Sequence, residues 1–247
     1  MEYEFYKCIE KQYFEDGKII ETENDNYGRI FDFEEIKSPA DYIYRNCLKT
    51  NCPISFYWQL LNGGSPLIAQ VLNDILQNHR DETLYKISDL IMSCSNVDCH
   101  LSGRTILESV LSLNKLKTPP DYLVSHPFLL WEYIAEEERK LIDANIPSRM
   151  RSYFLFTNKD DAKKYIDDLC NPNMQIVGAK LLETKNIKAF DMDIWNESYI
   201  NNSFDKVRDQ YKRYWLSDKG ERNQTEVLVQ GKLQLFSICT TTRGTIR

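Results

Sequence analysis

The 247-residue sequence contains no apolar run approaching the ~20 residues that a membrane-spanning helix needs. Its start, Met1-Glu2-Tyr3-Glu4, lacks the basic and then apolar pattern of a secretory signal. No glycine-rich G-x-G-x-x-G stretch is present, so the sequence offers no Rossmann dinucleotide fingerprint. No repeat recurs at a fixed period. The seven cysteines are odd in number and their spacing forms no disulfide framework. Free, mostly buried thiols in a reducing compartment are therefore expected. These absences describe a soluble, cytoplasmic protein.

The length suits one large domain, or a core domain with a sizeable insertion. Apolar residues make up 42% and aromatics 12%, with 15 Tyr, which argues against disorder. Charge is uneven. Residues 149–247 hold 17 Lys+Arg against 13 Asp+Glu, a net of +4, while residues 1–148 hold 14 against 24, a net of −10. Cations gather at Lys206, Arg208, Lys212, Arg213, Lys219 and Arg222. Such a cluster reads either as a solvated helix face or as a surface for an anionic partner, a dinucleotide or a nucleic acid.

Both ends of the chain read as strands and the middle as helices. Tyr3 to Ile9 alternates in part as a strand; Asp16-Gly17 is a turn before Lys18-Ile19-Ile20; Asn26-Tyr27-Gly28 is a further turn. From about residue 39 to 145 the spacing is helical. Ser65-Pro66 opens a face formed by Leu67, Ile68, Val71, Leu72 and Ile75. Further faces run through Leu84 to Ile91 and Ile106 to Leu113, and Thr118-Pro119-Pro120 breaks the run. Phe128 to Ile142 is another helix. Beyond Pro147, alternation puts Met150, Ser152, Phe154 and Phe156 on one strand face and Arg149, Arg151, Tyr153 and Leu155 on the other. A helix over Asp160 to Leu169, a strand over Gln175 to Thr184, a helix over Phe204 to Tyr214 and a strand over Glu226 to Phe236 complete an α+β pattern. The two ends supply a split sheet, and the middle is a helical insertion.

Three groups of residues can carry chemistry. Arg149 stands at the mouth of a buried strand, and its planar fork suits a phosphate or pyrophosphate or, more simply, a neighbouring acid such as Glu136 to Glu138. Glu226 opens a strand directly after a polar loop. Parity groups it with Gln224 and Leu228, away from Val227 and Val229, as expected of a solvated edge acid or of a carboxylate that meets a developing cation. Tyr6, Tyr153, Tyr214 and Trp215 can stack on a base ring or simply fill the core. His79, His100 and His126 all lie in the helical middle and read as surface or core residues. Cys94, Cys99 and His100, with Cys47 and Cys52 upstream, sit at the edge of structural zinc spacing. Cys94 follows Leu90-Ile91-Met92, so the end of a core face is the simpler reading, and no metal is assigned.

In order and spacing these pieces resemble the ADP-ribosyltransferase superfamily, in particular its bacterial toxin and anti-phage defence branch. The resemblance rests on Phe5-Tyr6-Lys7 with Gly17-Lys18-Ile19-Ile20; on Pro147-Ser148-Arg149 with Ser152-Tyr153-Phe154-Leu155-Phe156; on Asp191-Met192; and on Tyr214-Trp215, a loop and Glu226-Val227-Leu228-Val229. It covers the first 30 or so residues and the last hundred, leaving the helical middle unmatched. It implies an ADP-ribosyltransferase-like split sheet in a single domain, with the helical insertion at about 39–145. It also implies transfer of ADP-ribose from NAD to a macromolecule. By this resemblance Glu226 stabilises an oxocarbenium-like state, as in glycoside hydrolysis. Arg149 grips NAD, and Gln224 positions the acceptor. Tyr6, Lys7, Ser152, Tyr153 and Trp215 line the NAD site. Ser152 and Tyr153 face opposite ways, and Tyr153 is the better placed. Related first strands often carry His after the Tyr; Lys7 here puts a cation in its place. The basic C-terminal region favours RNA or DNA over protein as acceptor, and a toxin of this kind implies a neutralising antitoxin. The alternatives are an NAD glycohydrolase or a 2′-phosphotransferase on the same scaffold, or a helical interaction module without catalysis.

Overall fold

Residues 5–55, 125–196, 203–220 and 224–238 are described in the computed structural model. They form an α+β structure with an antiparallel five-stranded sheet. The chain divides into two compact units: Met1–Phe31, Ile142–Asn196 and Arg213–Arg247 make the first, and Asp32–Leu141 with Glu197–Lys212 the second.

The first unit holds the sheet. Its strands are β1 (Phe5–Glu10), β2 (Ile19–Glu21), β3 (Tyr153–Phe156), β4 (Met174–Asp191) and β5 (Thr225–Phe236). The order is β2-β5-β3-β1-β4, and an added β5–β4 pairing joins the two ends of the run from β5 to β4, so four strands close on one another. Closure removes free edges, and it needs one long strand pair to turn the corner. That pair is β4 with β5, in register from Gly178↔Phe236 to Asp191↔Thr225 with two irregularities between Leu181 and Asn186.

Strand alternation sorts the side chains into two sets. One set is a cluster of Ile20, Leu155, Val177, Ala179, Val227, Val229, Leu233 and Leu235, against which Phe5, Ile9 and Tyr153 pack. The other face carries Cys8 and Phe156, covered by Ala162, Tyr165 and Ile166 of the helix α4 (Lys159–Leu169). Asn158 caps that helix, its side chain accepting from the Asp161 N–H at 2.8 Å. The short helices α1 (Tyr27–Ile30) and α5 (Met192–Asn196) also belong to this unit.

The second unit contains α2 (Lys37–Thr50), most of α3 (Phe128–Ile142) and the start of α6 (Phe204–Trp215). Ala40, Ile43, Tyr44 and Cys47 form the buried stripe of α2, which ends on Asn51 in the left-handed region, its N–H bonded to the Cys47 carbonyl. Tyr44 meets the Phe204 ring edge-on at 5.7 Å. The fully buried Glu138 takes the Tyr44 hydroxyl at 3.0 Å and the Arg208 Nε at 2.6 Å on a single oxygen, Oε1.

Most elements fall where the sequence places them, and the helix over 128–142 has the expected bounds. The expected helical faces at 67–75, 84–91 and 106–113 lie outside the described residues. Two differences matter. The strand expected over 175–184 continues to Asp191, because β5 pairs with it all the way. The strand expected from Arg149 begins only at Tyr153: Arg149–Arg151 is a 3-10 turn closed by Arg151 N–H to the Ser148 carbonyl and Ser152 N–H to the Arg149 carbonyl. The expectation of free thiols holds for Cys8, Cys47 and Cys170 and fails at Cys52, which is disulfide-bonded.

Gly231 makes the closure possible. It lies opposite Thr184 with φ +142°, and a Cβ there would sit 2.1 Å from the Glu183 carbonyl oxygen. Gly231→Ala therefore combines a disfavoured backbone with a main-chain clash, and should cost about 2–4 kcal/mol in denaturant unfolding. A loss under about 0.5 kcal/mol, within ordinary surface-substitution scatter, would show that the β4–β5 corner does not depend on it.

Candidate active site

The site is assembled by the first unit. β5 opens with Thr225-Glu226, and Glu226 is registered to Phe156 on β3, itself registered to Tyr6 on β1. Directly paired residues of an antiparallel sheet share a face, so Glu226, Phe156 and Tyr6 look the same way. Glu226 also pairs with Phe190 across β4. The carboxylate is 3% exposed, so it is not the solvated edge acid that parity alone allows.

Arg149 meets it. Strict alternation through Arg149 would have put this side chain on the Tyr153 face, away from Glu226. The 3-10 turn rotates it onto the Phe154 face instead. The turn is braced from outside by Gly28, where a Cβ would lie 2.6 Å from the Met150 carbonyl oxygen, so α1 can approach only with glycine there. Arg149 is itself 7% exposed. Its Nη1 donates to the Glu226 Oε1 in a buried ion pair and to the Tyr214 hydroxyl at 2.7 Å. That hydroxyl in turn donates to the same Glu226 Oε1 at 2.6 Å. Rings surround the guanidinium: Trp195 at 3.7 Å and Phe154 at 4.8 Å from Cζ to ring centroid.

A buried charge pair without further hydrogen bonds is costly, and the Tyr214 bridge answers part of that cost. Tyr214 has no exposed surface. Phe190 stacks on it at 4.8 Å, and Trp195 and Trp215 meet it edge-on. Burial pushes its hydroxyl well above the ordinary tyrosine range, against the pull of Arg149. Tyr165 of α4 feels the same cluster: burial first, then the Glu226 carboxylate, raises its hydroxyl.

The other expected residues are distributed around this centre. Gln224 is buried, but its amide donates to the Asp161 carbonyl at 3.3 Å and its own carbonyl accepts from Met192 N–H, so it fastens β5 to α4 and α5. Ser152 is fully buried and donates to the Ser148 carbonyl at 2.6 Å, closing the turn below Arg149. Trp215 is fully buried against Phe190 and Tyr214. Tyr6 is half-buried on the Glu226 face, two strands away. Tyr153 and Lys7 lie on the opposite face: Tyr153 packs on the inner cluster, and Lys7 pairs with Val177 and sets its Nζ 4.6 Å over the Tyr153 ring. Burial lowers the Lys7 amine to about 8, against the opposing influence of Cys8 and Glu226. Burial raises the Cys8 thiol to about 11.

The sequence reading did not single out Trp195 or the Tyr214 hydroxyl as parts of the site. Trp195 follows the Asp191-Met192 step by one helical turn, which is the only sequence signal for it. Asp191 organises that step: its carboxylate accepts from Asp193 N–H at 2.9 Å and from Gly220 N–H at 2.8 Å, tying α5 to the loop that precedes Glu226. Of the cations gathered near the C-terminal end, Arg208 pairs with Glu138, Lys212 with Asp209 and Arg213 with Asp218, which reduces their pull on an outside anion. Cys94, Cys99, His100 and Arg222 lie outside the described residues. Among the described residues no group of His, Cys, Asp and Glu could hold a metal, and no helix is long and apolar enough to cross a membrane.

A family model described as a protein of unknown function, DUF2441, matches residues 5–241, from the first residue of β1 past the end of β5. No curated protein matches the chain.

Two measurements probe this geometry. Arg149→Met leaves a buried carboxylate without its cation and should destabilise by about 3–5 kcal/mol. Arg149→Met with Glu226→Leu should recover most of that loss. If the double variant is no more stable than the single one, the pair is not the dominant interaction. Lys7 gives a pH signature. Its folded value lies below the ordinary 10.5, at about 8, so the unfolded chain binds the extra proton between those values and this group's contribution to stability rises with pH across that window. Lys7→Met should be the more stable protein at pH 7, by at most about 3 kcal/mol, and its advantage should shrink between pH 8 and 10.5. A constant difference would place the amine in water.

Proposed function

We propose that this chain, which belongs to the DUF2441 family, is a cytoplasmic NAD-dependent ADP-ribosyltransferase built on an ADP-ribosyltransferase-like fold. The observation that carries the reading is the meeting of Arg149 and Glu226. They lie 77 residues apart in sequence, belong to two separate pieces of the family resemblance, and share one buried contact. Nothing in composition requires those two residues to touch.

NAD is the substrate, and the residues present suit it. Arg149 offers a guanidinium to a phosphate oxygen, with its plane fixed by Trp195 and Phe154. Glu226 supplies the charge that the reaction needs. The bond between the ribose C1′ and the nicotinamide nitrogen breaks, and nicotinamide leaves as a neutral base with the bonding pair. C1′ then takes an electron pair from an acceptor oxygen or nitrogen, whose proton passes to solvent. Positive charge develops at the sugar between these events, and a carboxylate set in a dry site stabilises it more than one in water does. Both donors to Glu226 use Oε1. No described residue bonds Oε2, which suits it to a ribose hydroxyl. Tyr6, on the same face, stands on the side from which a ring could stack.

The excess of cations over residues 149–247 favours a nucleic acid acceptor over protein, although among the described residues seven of those cations already have acidic partners. A toxin of this kind acts beside a neutralising partner, which the acidic composition of the helical insertion at about 39–145 would suit. The reading is tested by supplying NAD labelled in its ADP-ribose moiety and following transfer to cellular RNA, DNA and protein. Wild type should label one fraction, with Glu226→Ala reduced by at least about 10²-fold, the scale of losing one transition-state charge contact. Nicotinamide release without label in any fraction would make it a glycohydrolase. No nicotinamide release and no label, with Glu226→Ala indistinguishable from wild type in cells, would sink the reading.

A further inference from the structure

The resting site is not ready for the chemistry just described. A carboxylate already matched by a guanidinium and a phenol has little field left for a cation that develops beside it. The same guanidinium is the group offered to phosphate. Glu226 inside and an anion outside thus both claim the Arg149 charge.

We propose that Glu226 is the resting occupant of an anion site on Arg149, and that a diphosphate displaces it, so that ligand binding itself releases the carboxylate for use. The identity of the natural diphosphate, NAD, rests on the function proposed above; the exchange does not.

Three features support the exchange. The first is stereochemical: a single nitrogen, Nη1, makes both the Glu226 and the Tyr214 bonds, and both converge on Oε1. An anion that takes Nη1 therefore competes with both contacts at once. The second is confinement. The Trp195 and Phe154 rings lie 3.7 and 4.8 Å from the guanidinium carbon, so they narrow the approach of a competing anion, and at Nη1 that anion meets Glu226. The third is the role of Tyr214. Its hydroxyl donates to Glu226 independently of Arg149, so the carboxylate keeps a donor when the arginine turns to another anion. A diphosphate carries more charge than a carboxylate and matches the same planar fork, so it is the class of anion able to win this competition.

The experiment is calorimetric titration of inorganic pyrophosphate into the full chain and three variants. Glu226→Gln removes the internal competitor, and pyrophosphate should bind at least about tenfold tighter than to wild type. Glu226→Asp keeps the negative charge but draws it back from Arg149; it should also bind tighter, which separates release of the arginine from a general drop in repulsion. Arg149→Met with Glu226→Leu, a pair chosen to keep the core filled, should bind none. Thermal unfolding of each variant, with and without pyrophosphate, reports folding and binding together. The largest rise in Tm on adding the anion should occur in Glu226→Gln. Equal or weaker binding by Glu226→Gln overturns the exchange, as does tightening confined to Glu226→Gln with none in Glu226→Asp. The outcome is separable from that for function. Cleavage of NAD by wild type with no tightening in Glu226→Gln removes the exchange alone. Tightening without any NAD cleavage removes the transferase and leaves the exchange standing.

Discussion

The first unit depends on one buried interaction: the Arg149–Glu226 pair, joined by the Tyr214 hydroxyl. Neither charge could be buried alone, since an uncompensated ion in the interior costs several kcal/mol. Each partner therefore constrains the segment that carries it. Arg149 requires the 3-10 turn, which requires Ser152 to close on Ser148 and Gly28 to let α1 come near. Glu226 requires β5 to begin where it does, held by Gln224 and by the Asp191 tie to Gly220. Tyr214 requires Phe190, Trp195 and Trp215 around its ring.

Closure of the sheet gives this arrangement its two-sidedness. Because β1, β3, β5 and β4 pair in a ring, alternation becomes a division between one apolar cluster and the face that carries Glu226, Phe156 and Tyr6. Lys7 and Tyr6 are neighbours in sequence yet fall on opposite sides of that division. The residue expected to replace a histidine in contact with NAD is thus stacked on Tyr153 instead, with its amine lowered to about 8 by burial. Lys7 feels the Glu226 carboxylate at a distance, whereas among the described residues Arg149 is the cation in contact with it.

How far all this is legible in the sequence depends on which signal each feature uses. Long periodic segments such as 128–142 and 204–215 carry their own signal, and both are helices with nearly the expected limits. The strand to Asp191 runs beyond its apolar stretch because main-chain pairing with β5 continues after the side chains turn polar, and pairing leaves no trace in composition. The turn at Arg149–Arg151 is read wrongly for a subtler reason. Alternating polar and apolar residues around Ser152 imitate a strand, while one 3-10 turn reverses the parity of everything before it. The proximity of Arg149 to Glu226 is therefore expected from order along the chain; strict alternation, taken with the register of β3 on β5, would put them on opposite faces were it not for the turn. Trp195 carries no periodic pattern: a lone Trp on a five-residue helix becomes part of the site through its contacts with Arg149 and Tyr214.

A second arrangement of the same residue types tempers what can be read from chemistry alone. In the other unit Glu138 accepts from Tyr44 and from Arg208 on one oxygen, just as Glu226 accepts from Tyr214 and Arg149. A buried glutamate served by an arginine and a tyrosine is thus a solution this chain uses twice, and residue identity cannot by itself mark a site. The surroundings separate the two. Arg208 is partly exposed and leans also on Asp205, so solvent and a second acid share its charge. The Glu138 Oε2 is buried without a partner among the described residues, a cost that scaffolding can carry but that no incoming group is placed to relieve. Arg149, pressed between two rings with its charge committed to Glu226, is the one whose re-pairing would change what the neighbouring carboxylate can do.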